Sequence, residues 1–120
     1  MKTLRILAPA LLTIQLLGCS ITIADLNSQP VKHYQSDVTV TGQISRLQTV
    51  GDEVLLEIAD ARDKRILVRT KGPVDLKPTD WVKAYGLFVP EAKIGQQMVY
   101  DAVLAEEVSV TKPPWFRNLF

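Results

Sequence analysis

The sequence has 120 residues with 14 basic and 13 acidic side chains, a net charge of +1, one histidine and one cysteine. A single cysteine excludes a disulfide framework within the chain. The near-zero net charge argues against a protein that binds nucleic acid mainly through a strongly basic face.

Residues 1–18 have the pattern of a secretory signal peptide. Lys2 and Arg5 precede a 12-residue, largely apolar stretch from Ile6 to Leu17, which is the usual order of charged and apolar segments in such signals. A membrane-spanning helix needs about 20 apolar residues, so this stretch is too short to remain as an anchor. Cleavage after residue 18 would remove both of those basic residues, leaving 12 basic and 13 acidic residues and a net charge of −1.

Leu16-Leu17-Gly18-Cys19 resembles the bacterial lipobox, in which a peptidase cuts before the cysteine after diacylglycerol is attached to its sulfur. The resemblance implies a lipoprotein with lipid (palmitate among its acyl chains) on Cys19, held on the periplasmic or outer face of a bacterial membrane. Ser20 resembles the sorting pattern for the outer membrane, if the cell has one. The alternative is an ordinary signal peptide cut nearby, which would leave a free thiol in an oxidising compartment.

Residues 19–36 are predicted to carry the lipid and to act as a flexible tether. Asn27, Ser28, Gln29 and Pro30 are turn-forming residues. As a coil, the segment would span on the order of 25 Å. His33 is expected to face solvent rather than to bind a ligand.

Five segments of a domain predicted over residues 37–111 alternate apolar and polar residues with the period of two that indicates half-buried strands. They are residues 38–45, 53–60, 65–70, 81–89 and 98–110. Gly42 and Gly86 fall on the apolar side of their strands, where we expect a bend or a close backbone approach. The last segment is long enough to need a bend near Ala102 to Ala105. These patterns predict an all-β fold.

The segment resembles the oligonucleotide/oligosaccharide-binding (OB) fold, a small five-stranded barrel. The motifs that carry the resemblance are Val40-x-Gly42-x-Ile44, Leu56-x-Ile58-x-Asp60 and Leu76-Lys77-Pro78-Thr79-Asp80-Trp81-Val82-x-Ala84-x-Gly86. The last motif usually has glycine where this chain has Thr79. Pro30-Val31 followed by Val38-x-Val40 also resembles the small periplasmic OB-fold proteins of bacteria that are linked to envelope stress.

The OB fold binds ligands across its second and third strands, between the loops that join strands one to two and four to five. Here those loops are predicted over residues 48–53 and 90–97. The candidate ligand-binding residues are Arg46, Leu55, Glu57, Leu67, Arg69, Tyr85 and Tyr100. The aliphatic residues among them suit a protein or envelope component, and the glutamate would repel phosphate. Single-stranded nucleic acid is less favoured, because the expected stacking aromatics are few. A saccharide and a small cation are further alternatives.

Residues 112–120 form an aromatic tail in which Trp115, Phe116, Leu119 and Phe120 would share a face in one helical turn. We expect this tail to dock on the barrel, or alternatively to lie in the headgroup layer of a membrane. The sequence shows no glycine-elbow serine, no His–Cys pair and no metal-ligand spacing. Asp60 and Asp63 are expected to form a solvated salt-bridge turn. The sequence therefore predicts a binding module without catalytic residues, metal or cofactor.

Overall fold

The computed structural model describes residues 20–72 and 74–113. Two short helices, α1 (Ile23–Ser28) and α2 (Pro30–His33), precede five strands. The strands are β1 (Ser36–Val50), β2 (Glu53–Ala59), β3 (Arg65–Lys71), β4 (Trp81–Ile94) and β5 (Gln97–Val110).

The strands form a closed barrel in the order β1-β2-β3-β5-β4, with β4 returning to β1. All neighbouring strands are antiparallel except β3 and β5, which pair in parallel through Leu67–Ala102, Val68–Val103 and Arg69–Leu104. This arrangement is the OB fold, so the predicted all-β fold is confirmed.

The barrel interior is filled by the residues that the period of two places on the inner face of each strand. Val40, Leu56, Val68, Phe88 and Val103 are fully buried, one from each strand. Removing such side chains from water contributes about 1.5–3 kcal/mol each, which makes this cluster the main source of stability.

The tether predicted over residues 19–36 is wrong for residues 20–35, where α1 packs against the barrel and the exposed helix α2 follows it directly. The hydroxyl of Thr22 accepts a hydrogen bond from the backbone N–H of Asp25 at 3.1 Å and so caps α1. Ile23 and Leu26 lie three residues apart on one face of α1, and each is only 1% exposed in the main core. The turn-forming residues that suggested a tether mark only the end of this helix.

Tyr34 connects the segment after the helices to β4 and β5. Its ring stacks on Phe88 with 5.4 Å between centroids, and its hydroxyl donates a hydrogen bond to Asp101. This hydrogen bond, together with burial, raises the pKa of the Tyr34 phenol above its ordinary value. The residues before β1 are therefore an integral part of the fold.

Strands β1, β4 and β5 are longer than predicted. The segments 48–53 and 90–97, predicted as loops, are mostly strand, with only residues 51–52 and 95–96 in the turns. Gly51 and Gly95 adopt positive φ values of 62° and 64°, as two-residue hairpin turns require.

Gly86 allows β4 and β5 to curve around the barrel. A side chain there would place its Cβ 2.1 Å from the backbone oxygen of Leu104. The β4–β5 register shifts at this point, since Tyr85 pairs with Glu107 but Gly86 pairs with Ala105, leaving Glu106 as a bulge. The expected close backbone approach at Gly86 is confirmed, and the bulge borders the predicted bend.

Substituting Gly86 by alanine should destabilise the protein by about 3 kcal/mol, because the new Cβ meets backbone atoms that cannot rotate away. Gly42→Ala should cost less, about 1 kcal/mol, since its Cβ would lie 3.0 Å from the Ala59 oxygen. Urea denaturation measures both. Gly51→Asn is the matched control, because no atom lies within 4 Å of its Cβ position and asparagine tolerates positive φ. Equal stability of all three variants would contradict the close approach at Gly86.

Thr79 occupies a strained backbone conformation in the turn before β4. Its φ of 78° lies in the left-handed region, which β-branched residues rarely adopt. The turn is held by a hydrogen bond from the Thr79 N–H to the Ile44 oxygen at 2.8 Å. OB folds usually have glycine at this position. The backbone here has the positive φ that suits glycine, although the residue is a threonine.

Replacing Thr79 by glycine should stabilise the protein by about 1 kcal/mol, because the relief of strain exceeds the entropy that glycine adds to the unfolded chain. Thermal or urea denaturation of Thr79→Gly and Thr79→Asn tests this, with asparagine expected between threonine and glycine. A glycine variant less stable than the parent would show that the threonine is not strained.

Candidate binding surface

Two rows of candidate residues lie side by side on the outer face of β1, β2 and β3. The pairing register aligns Arg46 with Glu57 and Glu57 with Leu67 in one row. In the next row, Leu55 pairs with Arg69. The structure thus brings together five of the seven predicted ligand-binding residues.

The charges on this face are largely neutralised within the protein. Arg65 forms ion pairs of 2.9 Å with both Glu57 and Asp63. Arg69 lies 3.4 Å from Glu53. Arg46 is exposed, and its charge also lowers the pKa of Glu57.

Glu57 is the most strongly held carboxylate of the face. Ser45 is an extra residue in β1, where the β1–β2 register shifts, and its hydroxyl donates to a Glu57 carboxylate oxygen at 2.9 Å. This hydrogen bond, followed by the contribution of Arg65, keeps the pKa of Glu57 below its ordinary value although burial opposes the shift.

The aliphatic residues of the face are covered by the hairpin formed by β4 and β5. Leu55 is 6% exposed and packs with Ile94, Val99 and Ala102, which form a second hydrophobic cluster outside the barrel. Leu67 is partly buried against the same cluster. The prediction that Leu55 is available to a ligand is therefore wrong, because the β4–β5 hairpin covers it, whereas Leu67 stays partly exposed.

The tips of the two long hairpins also meet. A Cβ at Gly95 would lie 2.4 Å from a methyl group of Val50, so the β4–β5 turn rests directly on the end of β1. The β4–β5 hairpin covers part of the cleft between these hairpins, which is the usual OB-fold ligand site. A groove of about 420 Å³ remains at the tips, lined by residues 50–53, Lys71 and Gly95.

The two candidate tyrosines lie elsewhere. Tyr85 pairs with Thr39 on β1 and with Glu107 on β5, which places it on the other side of the barrel. Tyr100 is 63% exposed on the outer side of the β4–β5 hairpin. The sequence analysis did not predict the nearby Met98 as a site residue, although Met98 is 45% exposed. The alternation of Met98 and Tyr100 with the buried Val99 could have indicated it.

We name the outer side of this hairpin the distal face and define it by Glu91, Lys93, Met98 and Tyr100. Lys93 pairs with Met98 and Glu91 pairs with Tyr100 across the two strands. The opposite side of the hairpin carries the residues of the second hydrophobic cluster, so the two sides alternate strictly. The distal face combines two exposed apolar side chains with one charge of each sign.

The turn between β2 and β3 is a local hydrogen-bonded structure. The Asp60 carboxylate accepts the backbone N–H groups of Arg62 and Lys64 at 2.9 and 2.8 Å, while Asp63 is paired with Arg65. The predicted salt-bridge turn is confirmed. Within residues 20–72 and 74–113, no group of three or more His, Cys, Asp or Glu side chains is arranged to hold a metal ion.

Several predicted sites lie outside the described residues: Cys19, Trp115, Phe116, Leu119 and Phe120. His33 is partly exposed at the end of α2. No helix in the described part of the chain is long and apolar enough to cross a membrane.

No protein-family model matches this chain, and no curated protein matches it in sequence. Solved structures do match in fold. One is a protein assigned as an aspartyl-tRNA synthetase from Leishmania major, with a TM-score of 0.59 and 12% identity over 76% of this chain. Another is the asparaginyl-tRNA synthetase of Pyrococcus horikoshii, with a TM-score of 0.53 and 15% identity over 68% of this chain.

This chain corresponds to only 20% of the length of each synthetase. A third similar structure is the OBody AM1L10 bound to hen egg-white lysozyme, with a TM-score of 0.52 and 14% identity, covering 67% of this chain and 83% of that one. At such identities the likeness shows the OB fold and nothing about ligands.

The lowered pKa of Glu57 predicts a pH dependence of stability. A carboxylate whose pKa is lowered on folding stabilises the protein above its unfolded pKa, and this contribution is lost as the pH falls through the folded value. Lowering the pH from about 6 to about 3 should therefore destabilise the parent more than Glu57→Gln, by about 0.5 kcal/mol for this partly exposed group. Urea midpoints at both pH values measure the difference. Ser45→Ala should behave partly like Glu57→Gln, and identical acid sensitivity of all three proteins would contradict the assignment.

Proposed function

We propose that this chain is a lipid-anchored, non-catalytic binding module of the bacterial cell envelope, on the periplasmic or outer face of a membrane, that binds a protein or envelope component through the distal face. One observation carries the proposal. The β4–β5 hairpin covers Leu55 in the usual OB-fold cleft with its apolar side and presents Met98 and Tyr100 on its other side. The exposed apolar surface of the hairpin is therefore its back.

The chemistry of the distal face fits a protein partner. Aromatic residues and methionine are enriched at the centres of protein interfaces, where they bury large areas at low entropic cost. Met98 adapts its shape to a partner through its flexible thioether chain. Glu91 and Lys93 beside them provide a polar rim with both signs of charge, which favours specific orientation over general attraction to polyanions.

The alternative function is binding of single-stranded nucleic acid or an oligosaccharide, which other OB folds perform. The fold likeness supports both functions, since two of the similar structures are synthetases named for tRNA and the third is bound to lysozyme. The side chains favour a protein. Arg69 is engaged by Glu53, and Tyr85 lies away from Arg46, so phosphate contacts and base stacking would not form one track.

A second alternative, a small cation-binding protein of envelope stress, would depend on the turn between β2 and β3. The carboxylates of Asp60 and Asp63 there already accept backbone N–H groups and the Arg65 guanidinium. A cation would have to displace these partners.

Changing Met98 and Tyr100 together to serine should abolish capture of the partner from envelope extract. Truncating central interface residues of this kind costs about 2 kcal/mol each. The proteins captured by the parent, by Met98→Ser/Tyr100→Ser and by Val31→Ser are compared by mass spectrometry. Val31 is the matched control because it is an apolar residue, 78% exposed, on α2.

Two outcomes would contradict the proposal. One is capture of the same proteins by the parent and the double variant. The other is binding of a labelled single-stranded oligonucleotide that falls steeply with salt and disappears in Arg46→Ala or Tyr85→Ala, which would favour the nucleic-acid alternative.

A further inference from the structure

The end of β5 pairs with a neighbouring strand on one side only. The β3–β5 seam ends at Leu104, while the β4–β5 ladder continues to Val110. An open groove of about 330 Å³ lies where β3 and β5 separate, lined by residues 69–71 and 104–106. The barrel is therefore closed by a short seam, and β5 has a free edge beyond it. We name residues 107–111 the β5 edge.

The hydrogen bonds to β4 determine which backbone groups the β5 edge presents. The Thr111 N–H donates to the Trp81 oxygen at 2.7 Å, so the preceding residue, Val110, belongs to a non-hydrogen-bonded pair of the antiparallel ladder. The N–H and C=O groups of Val110, and those of Val108 two residues earlier, then point away from β4. Among the described residues, none forms a backbone hydrogen bond with these outward groups.

We propose that the β5 edge pairs with the β5 edge of a second copy of this chain, as two antiparallel strands related by a twofold axis at Ser109. In this register Val108 of each copy lies opposite Val110 of the other. Their outward N–H and C=O groups form four hydrogen bonds across the axis. The pairing is independent of the proposed function of the distal face, which lies on another part of the hairpin.

The β5 edge lacks the features that usually protect a free strand edge. Natural edges are commonly blocked by proline, by lysine or by a bulge. Residues 108–111 are Val-Ser-Val-Thr, which are uncharged and rich in β-branched side chains that favour strands. The bulge at Glu106 comes before them. Val110 is 60% exposed, so an apolar side chain accompanies the unpaired backbone.

The side chains of the β5 edge are complementary to those of the same edge in a second copy. Ser109 lies opposite Ser109 of the second copy, and Glu107 lies opposite Thr111, so no like charges face each other. The exposed Lys112 follows Thr111, which places a positive charge of one copy near Glu107 of the other. Opposite charges on neighbouring strands stabilise the pairing. An unrelated peptide would have to reproduce this pattern, which a second copy supplies by symmetry.

The interface is small, because each copy contributes five residues. It is well below the roughly 800 Å² per partner of stable complexes. We therefore expect a weak and reversible dimer, which a covalent trap detects better than a measurement of mass alone.

Disulfide trapping in the full chain tests the pairing. All variants carry Cys19→Ser, so that the introduced thiol is the only one. The two Ser109 residues would form a non-hydrogen-bonded pair with Cα atoms about 4.5 Å apart, which a disulfide can bridge. The matched control is Lys83→Cys, an exposed position that pairs with Ser109 on β4 and lies one strand farther from the axis. On mild oxidation, non-reducing electrophoresis should show several-fold more dimer for Ser109→Cys than for Lys83→Cys.

Two changes at Val110 test whether strand pairing causes the trapping. Val110→Pro removes an outward N–H and leaves the hydrogen bonds to β4 intact. Val110→Lys places a charge on the edge at an exposed position, so it remains informative if the proline variant does not fold. Each change, combined with Ser109→Cys, should remove most of the dimer. Val31→Lys, at a residue of α2 that is 78% exposed, should leave it unchanged, and urea midpoints show which variants are folded.

Three outcomes would overturn the proposal. The first is equal dimer formation at positions 83 and 109, which indicates random collision. The second is undiminished dimer formation when Val110→Lys is combined with Ser109→Cys. The third is the absence of dimer at position 109, which is the result expected if another segment or another protein covers the β5 edge.

Discussion

The close approach of β4 and β5 at Gly86 is the constraint on which the rest of this structure depends. Without a side chain at that position, the two strands curve enough for Ala102–Leu104 of β5 to pair with β3 at one edge while they stay paired with β4 at the other. The bulge at Glu106 adds to the bend. That curvature closes the barrel, and it also directs the far half of the same hairpin across β2 and β3.

The hairpin therefore has two structural roles that conflict with a ligand-binding one. Its apolar side covers part of the usual OB-fold cleft with Ile94 and Val99, and its turn rests on Val50. An OB fold whose cleft is partly covered in this way keeps the architecture of its class while exposing less of the surface of β2 and β3. The proposed function follows from this difference.

The period-two pattern was sufficient to predict the barrel, because alternation reports burial directly and each strand has one buried face. The pattern failed where a short local signal competed with packing. The polar residues of segment 90–97 predict a loop, although Ala92, Ile94 and Val99 continue the alternation into the hairpin. In α1, only Ile23 and Leu26 mark the buried face, which is too few for a helical period to be visible. Coverage of Leu55 depends on contacts between distant segments, and no local pattern encodes that.

The parallel pairing of β3 with β5 has a consequence for how the protein folds. The neighbouring pairs β1–β2, β2–β3 and β4–β5 are hairpins between consecutive strands, so they can form through local contacts. The β3–β5 seam consists of three residue pairs far apart in the chain, and its formation must overcome a larger loop-closure entropy. The β1–β4 seam is also long-range, but it has eight residue pairs. We therefore expect the three-pair β3–β5 seam to open first, so that thermal fluctuations of the native barrel begin where Leu67–Arg69 pair with Ala102–Leu104.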